Sequence, residues 1–437
     1  MNIRAALDAI KRKPLVTNVI KLAGGTAVGQ LLVVIATPIV TRLYSPEDMG
    51  VFGLFMSFVG FATVGVSLKY EFAIVDSQSE SEAGNLLYLA LLLAFPVSLL
   101  FAGVLWCLIS AKILLFEALP EWCVVAMFMV LISTGVFMAF RCWFVRKAAF
   151  SDISISLVSQ GACRAAVPVG LGLLGVGWVG MLAGEVLGRV VGIGRMAQKS
   201  WPSVKVAAYE FTLDRYRILA RKYWKYPTVI LPSSLVDSLA VALPLPIIAS
   251  IYGVAAAGEY LLVNRLAGMP AGLISASVAD VFHNHAFTAT KENPAQLRPL
   301  LLAAIRNLTS AGFTIYIPVA IASPFLFTTI FGNQWTVASW VMAIFVPVPI
   351  IGLVVSPLSR LLLVTNRGEL KLVADFANLI VPIVSFYGAN ALGYSFLTSM
   401  IVFVGMFVTA NLLYLYLIWH ATSAYSLPTS TNNRSNK

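Results

Sequence analysis

Long apolar runs separated by short polar breaks recur from one end of the chain to the other. They predict twelve helical spans, at about 16–42, 48–75, 84–110, 119–145, 153–174, 176–196, 226–251, 256–282, 300–326, 336–363, 371–389 and 393–419. A run of about 20 apolar residues crosses a bilayer as a helix, and a helix satisfies its own backbone in lipid. The predicted class is therefore an all-α integral membrane protein. The expected organisation is a tail at 1–15, a six-helix bundle at 16–196, a basic interfacial linker at 197–225, a second six-helix bundle at 226–419 and a polar tail at 420–437.

The first polar break reads TRLYSPEDMG, Thr41 to Gly50. Ser45 is placed to cap a helix, Pro46 to occupy its first turn, and Glu47 and Asp48 to face its positive end. The hairpin needs no function to account for these residues. Arg42 is different, because it puts a base on the side where loop bases are scarce.

Composition fixes the solvent. Of 437 residues, 59% are hydrophobic and 11% charged, against about a quarter charged in a soluble domain. A chain of this size cannot bury so much apolar surface in one aqueous core. The net charge of +11 would point to nucleic acid in a soluble protein. Here the basic residues sort by side. With the N-terminus placed in the cytoplasm, only Arg42 and Lys112 among the loop bases fall opposite, as the positive-inside rule demands. That sorting argues against a nucleic-acid partner and predicts both termini on the cytoplasmic side. MNIRAALDAIKRKP is basic but precedes no cleavage site, so it is expected to be a retained tail.

Cys107, Cys123, Cys142 and Cys163 lie in or beside apolar runs and are read as small hydrophobes. His283, His285 and His420 have no metal-ligand spacing, so no metal or cofactor is expected. Gly170 to Gly175 fits GxGxxG, but inside an apolar span rather than between a strand and a helix, and no P-loop is present.

A shift of the sequence by about 208 positions aligns Pro38 with Pro246, Tyr44 with Tyr252, Gly50 with Gly258, Gly60 with Gly268 and Ser67 with Ser275. The chain reads as two parallel six-span halves able to rock about a central site. Pro38 and Pro246 occupy matching places in spans one and seven, and are the expected hinges.

Charge inside lipid is costly and faces a cavity or a partner. Glu185 and Arg189 are spaced as an i, i+4 ion pair. Gly180, Gly184, Gly188 and Gly192 form a stripe that permits close helix approach. Arg42, Arg164 and Arg265 have no partner nearby in sequence; Lys21 lies in span one and Asp237 in span seven. Arginine matches phosphate oxygens in a bidentate way. Lys21, Arg42, Arg164 and Arg265 are accordingly the candidate anion-binding set, with pairing to Asp237, Glu185 or Glu259 as the alternative. Asp237 and Glu185 are the candidates for coupling to an ion gradient. Trp122 and Trp178 are expected as interface anchors.

KLAGGTAVGQLL, PIVTRLYSPEDMGVFGLF and LKYEFAIV resemble the N-terminal region of the bacterial polysaccharide flippases, the Wzx-type oligosaccharide-lipid transporters. YPTVILPSSLVDSLAVALPLPIIASIYGVAAAGEY resembles the start of their second half. The resemblance implies the fold of the MOP exporter superfamily, shared with MATE-type exporters: twelve helices in two bundles. It implies a non-enzymatic transporter in the bacterial inner membrane. Its substrate would be undecaprenyl-pyrophosphate-linked oligosaccharide, flipped from the inner to the outer leaflet for O-antigen, capsule or exopolysaccharide. Membrane lipid, a polysaccharide polymerase and a chain-length regulator are the implied partners. A small-molecule exporter of the same fold is the alternative. A membrane polymerase or ligase is disfavoured, because the external loops are short and hold no set-apart acid/base pair.

Overall fold

The computed structural model describes residues 14–209, 212–292, 296–365 and 367–426. Within these, each of the twelve predicted spans is helical over most of its length. Tail residues 1–13 and 427–437 lie outside the described residues, as do the side chains of Lys21, His283 and His285. Among the described residues, seven helices are long and apolar enough to cross a membrane, and a bent pair makes an eighth. The four other predicted spans are helical but each carries at least one charged residue, which lowers its apolar character. Large side chains such as Ile35, Leu100, Leu173 and Phe325 point outward, as lipid-facing positions do. The protein is a multi-pass helical membrane protein.

The chain divides into two compact units, residues 1–258 and 259–437. The first unit begins with α1 (Pro14–Leu43), which runs through Pro38 without interruption. Ser45 then caps α2 (Pro46–Thr63): its hydroxyl accepts the Asp48 N–H, and the Asp48 carboxylate accepts the Ser45 N–H. The sequence expects a second span continuing to about residue 75. The helix instead stops at Thr63, and Leu68 and Lys69 take left-handed φ angles of 50° and 65°. A separate short helix follows, α3 (Tyr70–Asp76). Next come α4 (Glu80–Ser110), α5 (Cys123–Arg146), α6 (Phe150–Leu173) and α7 (Val179–Tyr209).

Helix α7 crosses the expected boundary at 196 and continues through Pro202. After it, α8 (Leu213–Lys222) lies on the first unit. Its Tyr216 is buried and donates to Asn85 Oδ1 at 3.2 Å, and its Lys222 pairs with Glu82. These contacts join Leu86, Phe140, Trp143, Met196 and Tyr223 in one apolar cluster. Span seven is a π-helical turn at Tyr226–Ile230 followed by α9 (Leu231–Ala242) and α10 (Pro244–Tyr252). The break at Leu243 falls three residues before the expected hinge Pro246. Gly253, at φ 90°, ends α10 in a conformation that side chains disfavour.

The second unit starts within α11 (Val254–Glu292). It continues with α12 (Leu297–Phe331), α13 (Thr336–Phe345), α14 (Pro347–Leu358), α15 (Leu361–Val364), α16 (Gly368–Ala391) and α17 (Phe396–Ser426). The sequence expects one continuous tenth span. In the structure a 3-10 turn and α13 meet α14 at 47°, with Val346 and Pro347 at the bend; proline cannot continue the backbone ladder. Leu297, Leu301, Leu353, Leu358, Tyr414 and Ile418 form this unit's core. The buried Glu259 carboxylate accepts the Ala338 N–H at 2.6 Å and so caps α13 from α11.

Candidate functional site

The site grows from one seam in the first unit, where α6 packs along α7. Glycine recurs every fourth residue on α7, and residues of α6 fill the space. A Cβ at Gly184 would lie 2.7 Å from the Pro168 ring, and one at Gly188 would lie 2.6 Å from Arg164 Cγ. Gly180 faces Leu171 and Tyr44, and Gly192 faces Gln160. The stripe thus gives room for the stems of polar side chains between two helices. Helix α1 closes the other side of α6, with Gly29 and Gly161 in backbone contact. Tyr44, at the end of α1, donates to the Pro168 carbonyl at 2.7 Å.

Halfway along this seam lies an ion cluster. Glu185 is 4% exposed. Its Oε2 accepts from Arg164 Nε at 2.6 Å, and its Oε1 accepts from Arg189 Nε at 2.8 Å. Arg189 also donates to the Thr134 hydroxyl on α5. One carboxylate therefore holds two guanidiniums, and the cluster carries a net positive charge. The two arginines differ. Arg189 is 17% exposed and spent on Glu185 and Thr134. Arg164 is 35% exposed, and its two Nη groups carry no hydrogen bond among the described residues. Its Nε is anchored while its fork stays open, which is the arrangement that bidentate oxyanion recognition requires.

A second cluster sits at the start of α6. Asp152 accepts from Arg195 Nε at 2.8 Å and from Lys199 Nζ at 2.7 Å. Sequence reasoning passed over these three residues. Arg195 and Lys199 are spaced i, i+4 on one face of α7, which was a readable signal. Their acid is more than forty residues away in the chain, and only the antiparallel α6–α7 pairing brings it near.

The remaining expected residues lie on other helices. Arg42 is exposed at the end of α1, Asp237 is exposed on α9, and Arg265 is half-buried on α11 in the second unit. Of the expected anion set, the seam holds Arg164, together with Glu185 and the glycines. Asp48 adds a role not foreseen: besides capping α2, it accepts the Trp178 N–H at 2.9 Å. Trp178 and Trp122 stack with ring centroids 5.4 Å apart. No histidine, cysteine or acid cluster able to hold a metal occurs among the described residues.

The fold is that of the MOP superfamily. An inward-facing multidrug resistance MATE family transporter of that superfamily superposes with a TM-score of 0.68 at 16% identity, covering 92% of this chain and 96% of its own. The lipid II flippase MurJ, in an inward closed conformation, gives 0.63 at 13% identity, covering 94% and 90%. A MOP superfamily transporter from Pyrococcus furiosus, described as having a binding pocket of reverse polarity, gives 0.60 at 17% identity, covering 96% and 98%. No curated protein matches the sequence significantly. Residues 39–340 match the model of a family described as polysaccharide biosynthesis protein. Because that match covers most of the chain, the protein belongs to the polysaccharide biosynthesis protein family.

Proposed function

We propose that this protein flips undecaprenyl-pyrophosphate-linked oligosaccharide repeat units from the inner to the outer leaflet of the bacterial inner membrane. The product feeds assembly of a surface polysaccharide: O-antigen, capsule or exopolysaccharide. The observation that carries the reading is the Arg164 fork, anchored on Glu185 in a net-positive cluster between apolar helices. A diphosphate supplies the anionic oxygens that such a fork binds, and the family's connection with polysaccharide synthesis supplies the context. Lys21, Arg42 and Arg265 are the further head-group candidates that the sequence offers. The two six-helix halves alternate access, with Pro38 and Pro246 as hinges, and both termini face the cytoplasm. Movement is transport rather than catalysis, with a polymerase and a chain-length regulator downstream. Coupling to a proton or sodium gradient falls to Asp237. Glu185, held by two arginines, is better suited to positioning them than to releasing a proton.

The MATE-like fold supports a second reading, export of a small molecule. A cationic drug requires an acidic site, whereas the seam cluster is basic, so the flippase reading is preferred. Deletion of the gene in its own host separates the two readings. Loss of surface polymer, with intact repeat units trapped on the cytoplasmic face of everted vesicles, is the expected result. Unchanged leaflet distribution in a host without a second flippase would overturn the proposal.

A further inference from the structure

The two clusters on the α6–α7 seam share one design. In each, a nearly buried carboxylate ties the Nε of an arginine, and a second base loads the same carboxylate. Asp152 is 12% exposed; Arg195 and Lys199 are 49% and 50% exposed. The Nη groups of Arg195, like those of Arg164, carry no hydrogen bond among the described residues. One acid against two bases leaves this cluster net positive too. A simple ion pair would need a single base.

The two open forks are connected along the seam. Asp152, Ser156, Gln160 and Arg164 follow one another at i, i+4 on α6, so all lie on one face. The spacing from Asp152 to Arg164 is about 18 Å at 1.5 Å per residue. Long arginine side chains reaching from either end shorten the gap. Between the clusters, the Ser156 hydroxyl is buried without a hydrogen-bond partner, and so is that of Ser200, one residue past Lys199 on α7. Buried hydroxyls are ordinarily satisfied, so a polar guest or water in the seam would complete them.

We propose that Asp152, Arg195 and Lys199 form a second oxyanion station, which takes the diphosphate group of a lipid-linked substrate and passes it to Arg164. The inference rests on the flippase reading and deepens it. Asp152 orients the bases, Arg195 supplies the fork, and Lys199 adds a mobile point charge. The ligand chemistry is a diphosphate on a polyprenyl chain. The phosphodiester of an ordinary anionic lipid shares part of that chemistry, and the test separates them.

The test titrates farnesyl diphosphate against the purified full-length protein in nanodiscs of neutral lipid. Lys199→Gln leaves Asp152 paired with Arg195 and so preserves the fold. Arg195→Gln combined with Lys199→Gln removes the station. Loss of one charge-assisted contact set weakens binding on the order of tenfold. The expected result is that the double variant binds about tenfold more weakly, that Lys199→Gln falls between, and that Arg164→Gln retains one of two binding events. Equal binding by wild type and double variant, with loss in Arg164→Gln, overturns the second station and leaves the flippase reading intact. No diphosphate binding by the wild type overturns both. Full displacement of the diphosphate by equimolar phosphatidylglycerol shows a plain lipid contact and overturns the station alone.

Discussion

The Tyr316 hydroxyl bridges Ala267 and Ala271, donating to the carbonyl of the first at 2.6 Å and accepting the amide of the second at 3.0 Å. An uninterrupted helix pairs those two groups with each other. Pro270 lies between them in α11 and cannot donate to the ladder. A side chain from α12 thus supports the backbone of its neighbour where a proline has weakened it, as at many helix kinks. Tyr316→Phe removes the bridge. The expected effect is a loss of about 1–3 kcal/mol and faster hydrogen exchange at the Ala271 amide. Unchanged exchange would show that the helix closes its own bond.

Glu185 holds two cations in the first unit. Replacing it by Leu leaves Arg189 buried without a counter-charge, which costs about 3–5 kcal/mol. The variant should melt well below wild type in detergent. Adding Arg189→Leu should recover much of that loss, because the uncompensated buried charge goes with it. Failure of the second change to rescue would mean that the Thr134 bond, not the charge balance, fixes Arg189.

Ala148 joins α5 to α6 with φ 54°. The Ala149 N–H closes on the Phe144 carbonyl at 2.9 Å, a helix ending usually built with glycine. A left-handed conformation costs an L-residue about 1–2 kcal/mol. Ala148→Gly should therefore raise stability by about 1 kcal/mol, less the extra freedom of the unfolded glycine. A higher midpoint in thermal unfolding checks it.

Glu71 is 7% exposed, and its Oε2 has no hydrogen-bond partner. Lys69 is the cation that acts on it, yet no ion pair joins them among the described residues. A buried polar group without a partner weakens a fold. Glu71→Met keeps the length and removes the oxygen, so it should leave the melting temperature equal or higher. A sharp drop would identify a bond to Glu71 made in another state of the protein.

Much of this molecule was legible in the sequence, because lipid imposes a simple code. Helix positions followed from apolar run length, the Ser45–Asp48 cap from its spacing, and the α7 glycine stripe from its period of four. The breaks in spans two and ten were not legible, and the one in span seven was legible only to within three residues, at Pro246 rather than Leu243. Hydrophobicity averages over a bend, and Leu68 and Lys69 give no sign of left-handed backbone. Nor was Asp152 legible as the partner of Arg195, since that pairing depends on how far α7 slides along α6. Arg164 was singled out for having no local partner, and the fold supplied one from the next helix.

Helix α7 is 31 residues long, about 46 Å at 1.5 Å per residue, against a hydrocarbon layer of about 30 Å. Such a rod reaches beyond the apolar layer. Glu185 sits near one end, while Trp201 and Tyr209 lie on the far segment. Pivoting the rod by a few degrees at the Glu185 region would sweep the tip at Tyr209, 24 residues or about 36 Å away, sideways by ångströms. Mechanically, α7 is a beam with leverage, and a small strain at the charged seam would be read out as a large displacement at the protein's edge.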